Sequence, residues 1–204
     1  MKIERIDDPD LIDRLAQSSA PRSEGLHLST IYGDLMGQLQ PKRFDRSKPF
    51  NKVSIESGLV FENMLEKGLA EKFATVRPGE LWSPEGIIMT PDGVNPLLDA
   101  GEEYKFTRMS SRIYKSNTSP YTDEYGMPNQ KFLHWFLQMK GYAKWLDTRK
   151  FVLRVLHING DYDRKKESGP EFLSHLVEFT QPEIDENWTM LTNHARNRGM
   201  LQAA

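Results

Sequence analysis

Apolar residues in this chain change their period along its length, and that alternation is the strongest limit on the fold. Helical spacing governs 28–39, where Leu28, Ile31, Leu35 and Leu39 recur, with Ser29 as a candidate cap and Pro41 as the stop. It governs 54–73 more clearly, through Ile55, Leu59, Leu65, Leu69 and Phe73 behind the cap candidates Ser54 and Ser57. It returns in 129–147, opened by Pro128, and from Pro182 to about residue 197, with Ile184, Trp188, Leu191 and Ala195 on one side. Between these lie segments that read as extended: 80–89, 102–108, 151–158 and 172–180, separated by Pro, Gly, Asn and Asp. Helix, two strands, helix, two strands, helix is an α/β (α+β) order, and it predicts a small mixed β-sheet flanked by helices.

Residues 1–24 are polar, around one short amphipathic stretch (Leu11, Ile12, Leu15, Ala16), and read as an N-terminal arm; residues 25–204 read as a single domain. Residues 42–53 are basic and loop-like, and 109–127 predict a long exposed loop rich in Ser, Thr, Tyr and Gly. No repeat or low-complexity tract interrupts the chain. No run of apolar residues is long enough to span a membrane, and the charged opening MKIERIDDPD does not read as a signal peptide, so a cytoplasmic location is expected. Cysteine is absent, which removes disulfides, thiolate zinc sites, iron–sulfur clusters and cysteine nucleophiles together.

The net charge of −2 gives no support for nucleic-acid binding by itself. Basic residues do gather, at Lys105, Arg108, Arg112 and Lys115, at Lys140, Lys144, Arg149, Lys150 and Arg154, and at 164–166. They form either solvated faces or one positive groove.

Chemistry enters with Glu62. At about 100° per residue it falls inside the apolar stripe of the 54–73 helix, where a carboxylate is costly unless it is paired, protonated or bound to a cation. The other reading is a glutamate at the stripe's edge, or one satisfied by an arginine. In 102–108, strand alternation places Glu103 and Lys105 on one face and Tyr104 and Phe106 on the other, packed against the core. Asp92 stands on a Pro-Asp-Gly turn, and a hairpin-like return brings that turn beside the second strand. Two carboxylates with an ammonium beside them suit phosphodiester hydrolysis. Mg²⁺ prefers hard oxygen ligands, and Asp92, Glu103 and the backbone carbonyl of Tyr104 can supply them. Lys105 can orient a water or stabilise developing negative charge. Separately, each piece has a plainer reading: Glu-x-Lys as a surface ion pair, Pro-Asp-Gly as an ordinary turn. In 129–147, Gln138 and Tyr142 share a face at a spacing of four, where they are either structural or able to bond a phosphate or steady a metal ligand. Phe132, Trp135, Phe136, Met139 and Leu146 form the core stripe.

In order and spacing these motifs resemble the PD-(D/E)xK nuclease superfamily, in particular its RecB-like and phage recombination-exonuclease members. The matching pieces are Gly58-x-x-x-Glu62, Thr90-Pro91-Asp92-Gly93, Glu103-Tyr104-Lys105 and Gln138-x-x-x-Tyr142, spread over about residues 54–160. The resemblance implies a restriction-endonuclease-like core for 25–204. It implies Glu62, Asp92, Glu103 and Lys105 as catalytic residues, with the three acids as ligands of Mg²⁺, for which Mn²⁺ would substitute. Gln138, Tyr142 and Arg108 are the expected substrate contacts. Glu85, in Ser83-Pro84-Glu85-Gly86, mimics the same pattern and rivals Asp92; the apolar run Ile87-Ile88-Met89 leading into Asp92 favours the latter.

The implied function is a divalent-metal-dependent deoxyribonuclease, of the phage exonuclease type that acts on duplex DNA ends. A single-strand annealing protein and further copies of the chain are the implied partners, and host cytoplasm is the implied location if the source is viral. The alternatives are a structure-specific or packaging endonuclease of the same fold, or a non-catalytic DNA-binding module. The five histidines, His27, His134, His157, His175 and His194, lack zinc spacing, and no P-loop, Rossmann or G-x-S-x-G signature is present. His27 is expected to cap or pack, or to approach the site from the first helix.

Overall fold

The computed structural model describes residues 23–41, 52–108, 121–122, 127–158 and 170–202, with side chains from residue 56 onward in the second of these stretches. The N-terminal arm with its short helix, most of 42–53 and of the 109–127 loop, Arg112, Lys115 and the 164–166 cluster lie outside the described residues. So do the side chains of Ser54 and Ile55.

In chain order the elements are β1 (Leu26–His27), α1 (Leu28–Leu39), α2 (Lys52–Phe73), β2 (Leu81–Trp82), β3 (Ile87–Met89), β4 (Gly93–Asn95), β5 (Ala100–Thr107), α3 (Leu133–Leu146), β6 (Lys150–His157), β7 (Glu171–Glu178) and α4 (Gln181–Asn197). The architecture is mixed α/β, with helices flanking small mixed sheets. The strands divide into two sheets. One has the order β1-β3-β2, with β1 parallel and β2 antiparallel to β3. The other has the order β4-β5-β6-β7, antiparallel at its edges and parallel at its centre. No described helix is long and apolar enough to cross a membrane.

The 80–89 segment is two strands, because a turn at Ser83–Gly86 breaks it. The Gly86 amide bonds the Ser83 carbonyl at 2.9 Å, and Gly86 adopts φ 80°, which glycine tolerates without cost. Helix α3 starts at Leu133, not beside Pro128. The Asn129 side chain accepts from the Lys131 amide, and tight turns run from Asn129 to Trp135. Ser29 does not cap α1: its N-cap is His27, which makes no side-chain cap bond and instead bonds the Ser23 carbonyl at 2.9 Å. Leu39 is exposed, and Met36 takes a buried place on that helix. Helix α4 opens on a reciprocal capping box of Thr180 and Glu183, with Pro182 between them.

Alternation along β5 and β6 creates two cores. Phe151, Leu153 and Val155 face α1, α3 and α4 in the larger one, with Leu28, Ile31, Met139, Ile184 and Leu191. On the opposite face Tyr104 packs with Phe61 and Leu69 of α2, joined by Leu65, Phe73, Phe106 and Leu156. Tyr104 and Phe106 therefore pack against the smaller core. Glu103 and Lys105 point the other way, toward α3 under the larger one, where a charge has to be compensated.

Candidate active site

The geometry begins with β3. Its three residues are fully buried and anchor the chain just before Thr90-Pro91-Asp92. Strand β4 follows at once and pairs Gly93 with Glu102, so Asp92 is held beside Glu103. A Cβ on Gly93 would lie 2.9 Å from the Tyr104 hydroxyl and 3.0 Å from Thr75, so the close approach of the two strands needs a glycine there. The Asp92 Oδ2 accepts a hydrogen bond from the Tyr104 amide at 2.7 Å. Strand β4 pairs β5 no further than Glu102, so the edge of β5 is free of β4 from Glu103 onward.

Glu103 is completely buried, with the Lys105 ammonium against it. Glu103 Oε1 meets that ammonium, and Oε2 has no hydrogen-bond partner among the described residues. Lys105 Nζ also donates to Gln138 Oε1 at 3.2 Å, and Gln138 Nε2 donates to the Tyr142 hydroxyl at 2.9 Å. Glu62 is half-buried on α2 and lies within the electrostatic reach of Asp92 and Lys105. The structure thus brings Glu62, Asp92, Glu103, Lys105, Gln138 and Tyr142 into one neighbourhood. Arg108 stands exposed just past the end of β5.

The acids are held uneasily. Burial, then the charges of Asp92 and Glu62, push Glu103 up to about 8 against the pull of Lys105. Burial and Asp92 push Glu62 up to about 7. Burial raises Asp92 as well, opposed by Lys105 and by the Tyr104 amide. Burial alone would depress the Lys105 ammonium; Glu103 and Asp92 overcome it and hold the amine charged well above its ordinary range. Three carboxylates raised together around a single amine form a site short of positive charge. Among the described residues, no group of three or more His, Asp or Glu side chains is drawn together tightly enough to hold a metal ion.

Glu85 is placed elsewhere. It is exposed; burial is the largest single influence on its carboxyl, but Ser83, its own backbone amide, Trp188 and Arg196 together outweigh it and hold the carboxyl low. That environment belongs to the end of α4. His27, the second residue of β1, is turned to Ser23, which it meets through its ring nitrogen. Lys140 and Lys144 pair with Glu183 and Asp185.

Two residues of the neighbourhood had no local signal in the sequence. The Tyr32 hydroxyl donates to Gln138 Oε1 at 3.1 Å from α1, a contact across 106 positions. Arg77, paired with Glu66 at 2.7 Å, acts electrostatically on both Glu62 and Asp92. Arg77 lies in a stretch without periodicity.

No family profile matches the chain, and no curated protein does. Among solved structures it is similar to the crystal structure of SSO0001, at 11% identity and a TM-score of 0.50, over 90% of this chain and 84% of that one. It is also similar to an alkaline exonuclease (LHK-Exo) from Laribacter hongkongensis, at 15% identity and a TM-score of 0.48, over 85% and 87% of the two chains. A second structure of LHK-Exo, in complex with dAMP, matches at 12% identity and a TM-score of 0.48, over 91% and 89%. At these identities the likeness is one of fold.

Proposed function

We propose that this chain is a divalent-metal-dependent DNA nuclease acting on the ends of duplex DNA. The observation that carries the reading is the buried Glu103 carboxylate, whose Oε1 meets the Lys105 ammonium and whose Oε2 has no hydrogen-bond partner among the described residues, with Asp92 and Glu62 close by. A buried carboxylate oxygen without a donor fits a hard cation, and the neighbouring acidic ligands are all oxygen. To hold Mg²⁺ together, Asp92, Glu103 and Glu62 would have to draw closer than they stand in this structure, and Mn²⁺ would be able to replace it. The Tyr104 amide points at Asp92, and in an extended strand the carbonyl of the same residue points to the same side, so the Tyr104 carbonyl oxygen joins this set. When bound, the ion polarises the scissile phosphate and lowers the pKa of a coordinated water.

The chain's own residues supply the rest. Lys105 is held charged and braced by Glu103 and Gln138, so its remaining proton can meet a water or a phosphate oxygen without reorganisation. Tyr142 accepts from Gln138 and keeps its own hydroxyl proton for an acceptor on the substrate side. Arg108, exposed just past the end of β5, would contact the DNA backbone.

Linear and closed circular DNA, each with Mg²⁺, Mn²⁺ or EDTA, test the proposal. Loss of linear DNA alone, abolished by EDTA, is the expected result. Nicking of circles would make the chain an endonuclease on the same site. Binding without cutting in either metal would make it a non-catalytic DNA-binding module.

A further inference from the structure

Gln138 is almost fully buried, and its side-chain amide serves three neighbours. A lysine ammonium has only protons to give, so the end of the amide that faces Lys105 must be the oxygen. That choice settles the others. Tyr32 and Lys105 both donate to Gln138 Oε1, at 3.1 and 3.2 Å, and the nitrogen end donates to Tyr142 at 2.9 Å. Tyr32 thus adds a second donor to the oxygen that steadies the lysine.

Helix α1 is itself firmly seated. Gly141 of α3 leaves the space that Leu28 fills: a Cβ there would lie 2.6 Å from a Leu28 methyl. Two residues after Tyr32, Asp34 accepts from His194 Nε2 at 2.9 Å and from Arg198 Nε at 3.1 Å, which ties α1 to the end of α4. The Tyr32 ring is therefore presented to Gln138 by a helix braced on two sides.

We propose that Tyr32 is a positioning residue of this site: its hydroxyl holds the Gln138 amide oxygen toward Lys105, and so keeps the ammonium aimed at the reacting phosphate. The inference rests on the nuclease reading and adds to it a residue from outside the matched motifs. With Tyr32 absent, the amide keeps one donor on its oxygen and can swing about its terminal torsion, which has a broad, roughly two-fold profile. Lys105 then loses a fixed acceptor without losing its charge partner.

Tyr32→Phe tests this, because it keeps the ring and removes only the hydroxyl. The expected result is a fall in kcat of roughly tenfold, in line with the loss of a supporting bond behind a catalytic group. KM for DNA, the Mg²⁺ midpoint and Tm should stay near the wild-type values. In a Gln138→Ala background, Tyr32→Phe should cause no further loss, since both act on the same ammonium. In metal-free protein, Tyr32→Phe should also shift the NMR resonances of the Gln138 side-chain amide. Unchanged kcat, a loss confined to KM, or a full additional loss in the Gln138→Ala background would overturn the proposal. If the wild-type protein cuts no DNA in any metal, the nuclease reading fails separately. The amide resonances then decide whether Tyr32 holds Gln138: no shift overturns it, and a shift supports it.

Discussion

Glu103 sits where a carboxylate is least welcome, completely buried with one amine beside it. Its proton affinity makes the site's needs measurable without substrate. A carboxyl whose pKa is higher folded than unfolded favours the folded state while protonated. That advantage is present at low pH and is lost as pH rises from the unfolded value near 4.5 through the folded one. For Glu62 and Glu103 the folded values are about 7 and about 8. Metal-free protein should therefore lose thermal stability between about pH 5 and pH 8, and on the Glu103 shift alone the change is on the order of 3 kcal/mol. Glu103→Gln should flatten that profile and raise Tm at pH 8, while cutting is lost; thermal melts across pH, with EDTA present, read it. Asp92 and Glu85 separate just as cleanly. Asp92→Asn keeps an oxygen for the Tyr104 amide and so should fold normally, yet lose about 10²-fold or more in kcat. Glu85→Gln, at an exposed position beside Arg196, should be mild. The reverse pattern in the two rate constants would exchange their roles.

Elements bring these residues together, and the closest fit among them is between β5 and β6. Gly101 faces Phe151 across the parallel pair, and a Cβ there would lie 2.5 Å from the ring. Gly101→Ala should cost about 1–3 kcal/mol by overpacking. Because it strains β5 two residues before Glu103, kcat should fall with it; chemical denaturation and a nuclease assay on one preparation would show both. On the other face of β5, Glu102 takes both Arg154 Nε and Nη2, at 2.5 and 2.8 Å, and Asn95 Nδ2 at 2.9 Å. The same Asn95 accepts from the Leu97 and Leu98 amides through its Oδ1 and so shapes the turn between β4 and β5. What could be read in advance follows from these contacts. The α4 stripe of Ile184, Trp188, Leu191 and Ala195 is buried as its spacing requires, because helical periodicity is local. The face of β5 carrying Glu103 and Lys105 was likewise legible from alternation alone. Strand β4 was hidden inside a stretch dense in Pro, Asn, Asp and Gly, since its pairing depends on Glu102 and Val76 rather than on its own residues. The division into two sheets was hidden for the same reason, as partners across sequence leave no periodic trace.

Across the whole molecule, the candidate site draws on α2, the start of β4, β5, α3 and, through Tyr32, α1. None of these segments shows the site by itself, and the net charge of −2 gives no support for DNA binding. The motif order made Glu62, Asp92, Glu103 and Lys105 visible as a set; Tyr32 and Arg77 stayed invisible because their roles exist only across the fold. Such a site couples ligand binding to global stability. A cation taking oxygens from Glu62, Asp92 and Glu103 would tie α2 to the β4–β5 pair, and it binds only where the chain has already folded. Saturation at 100 times its dissociation constant would add about 2.7 kcal/mol to the unfolding free energy. At pH 8 it would also offset the burial, and the repulsion between the acids, that raise the two glutamates. Mg²⁺ should therefore raise Tm by several degrees at pH 8 and by less at pH 5, where protons already occupy the acids. Asp92→Asn and Glu103→Gln should each lose most of that increment, whereas Glu85→Gln should retain it. Calorimetric melts with and without Mg²⁺ check this. An equal rise in all four proteins at both pH values would mean that the ion stabilises the chain somewhere else, and that these carboxylates do not share it.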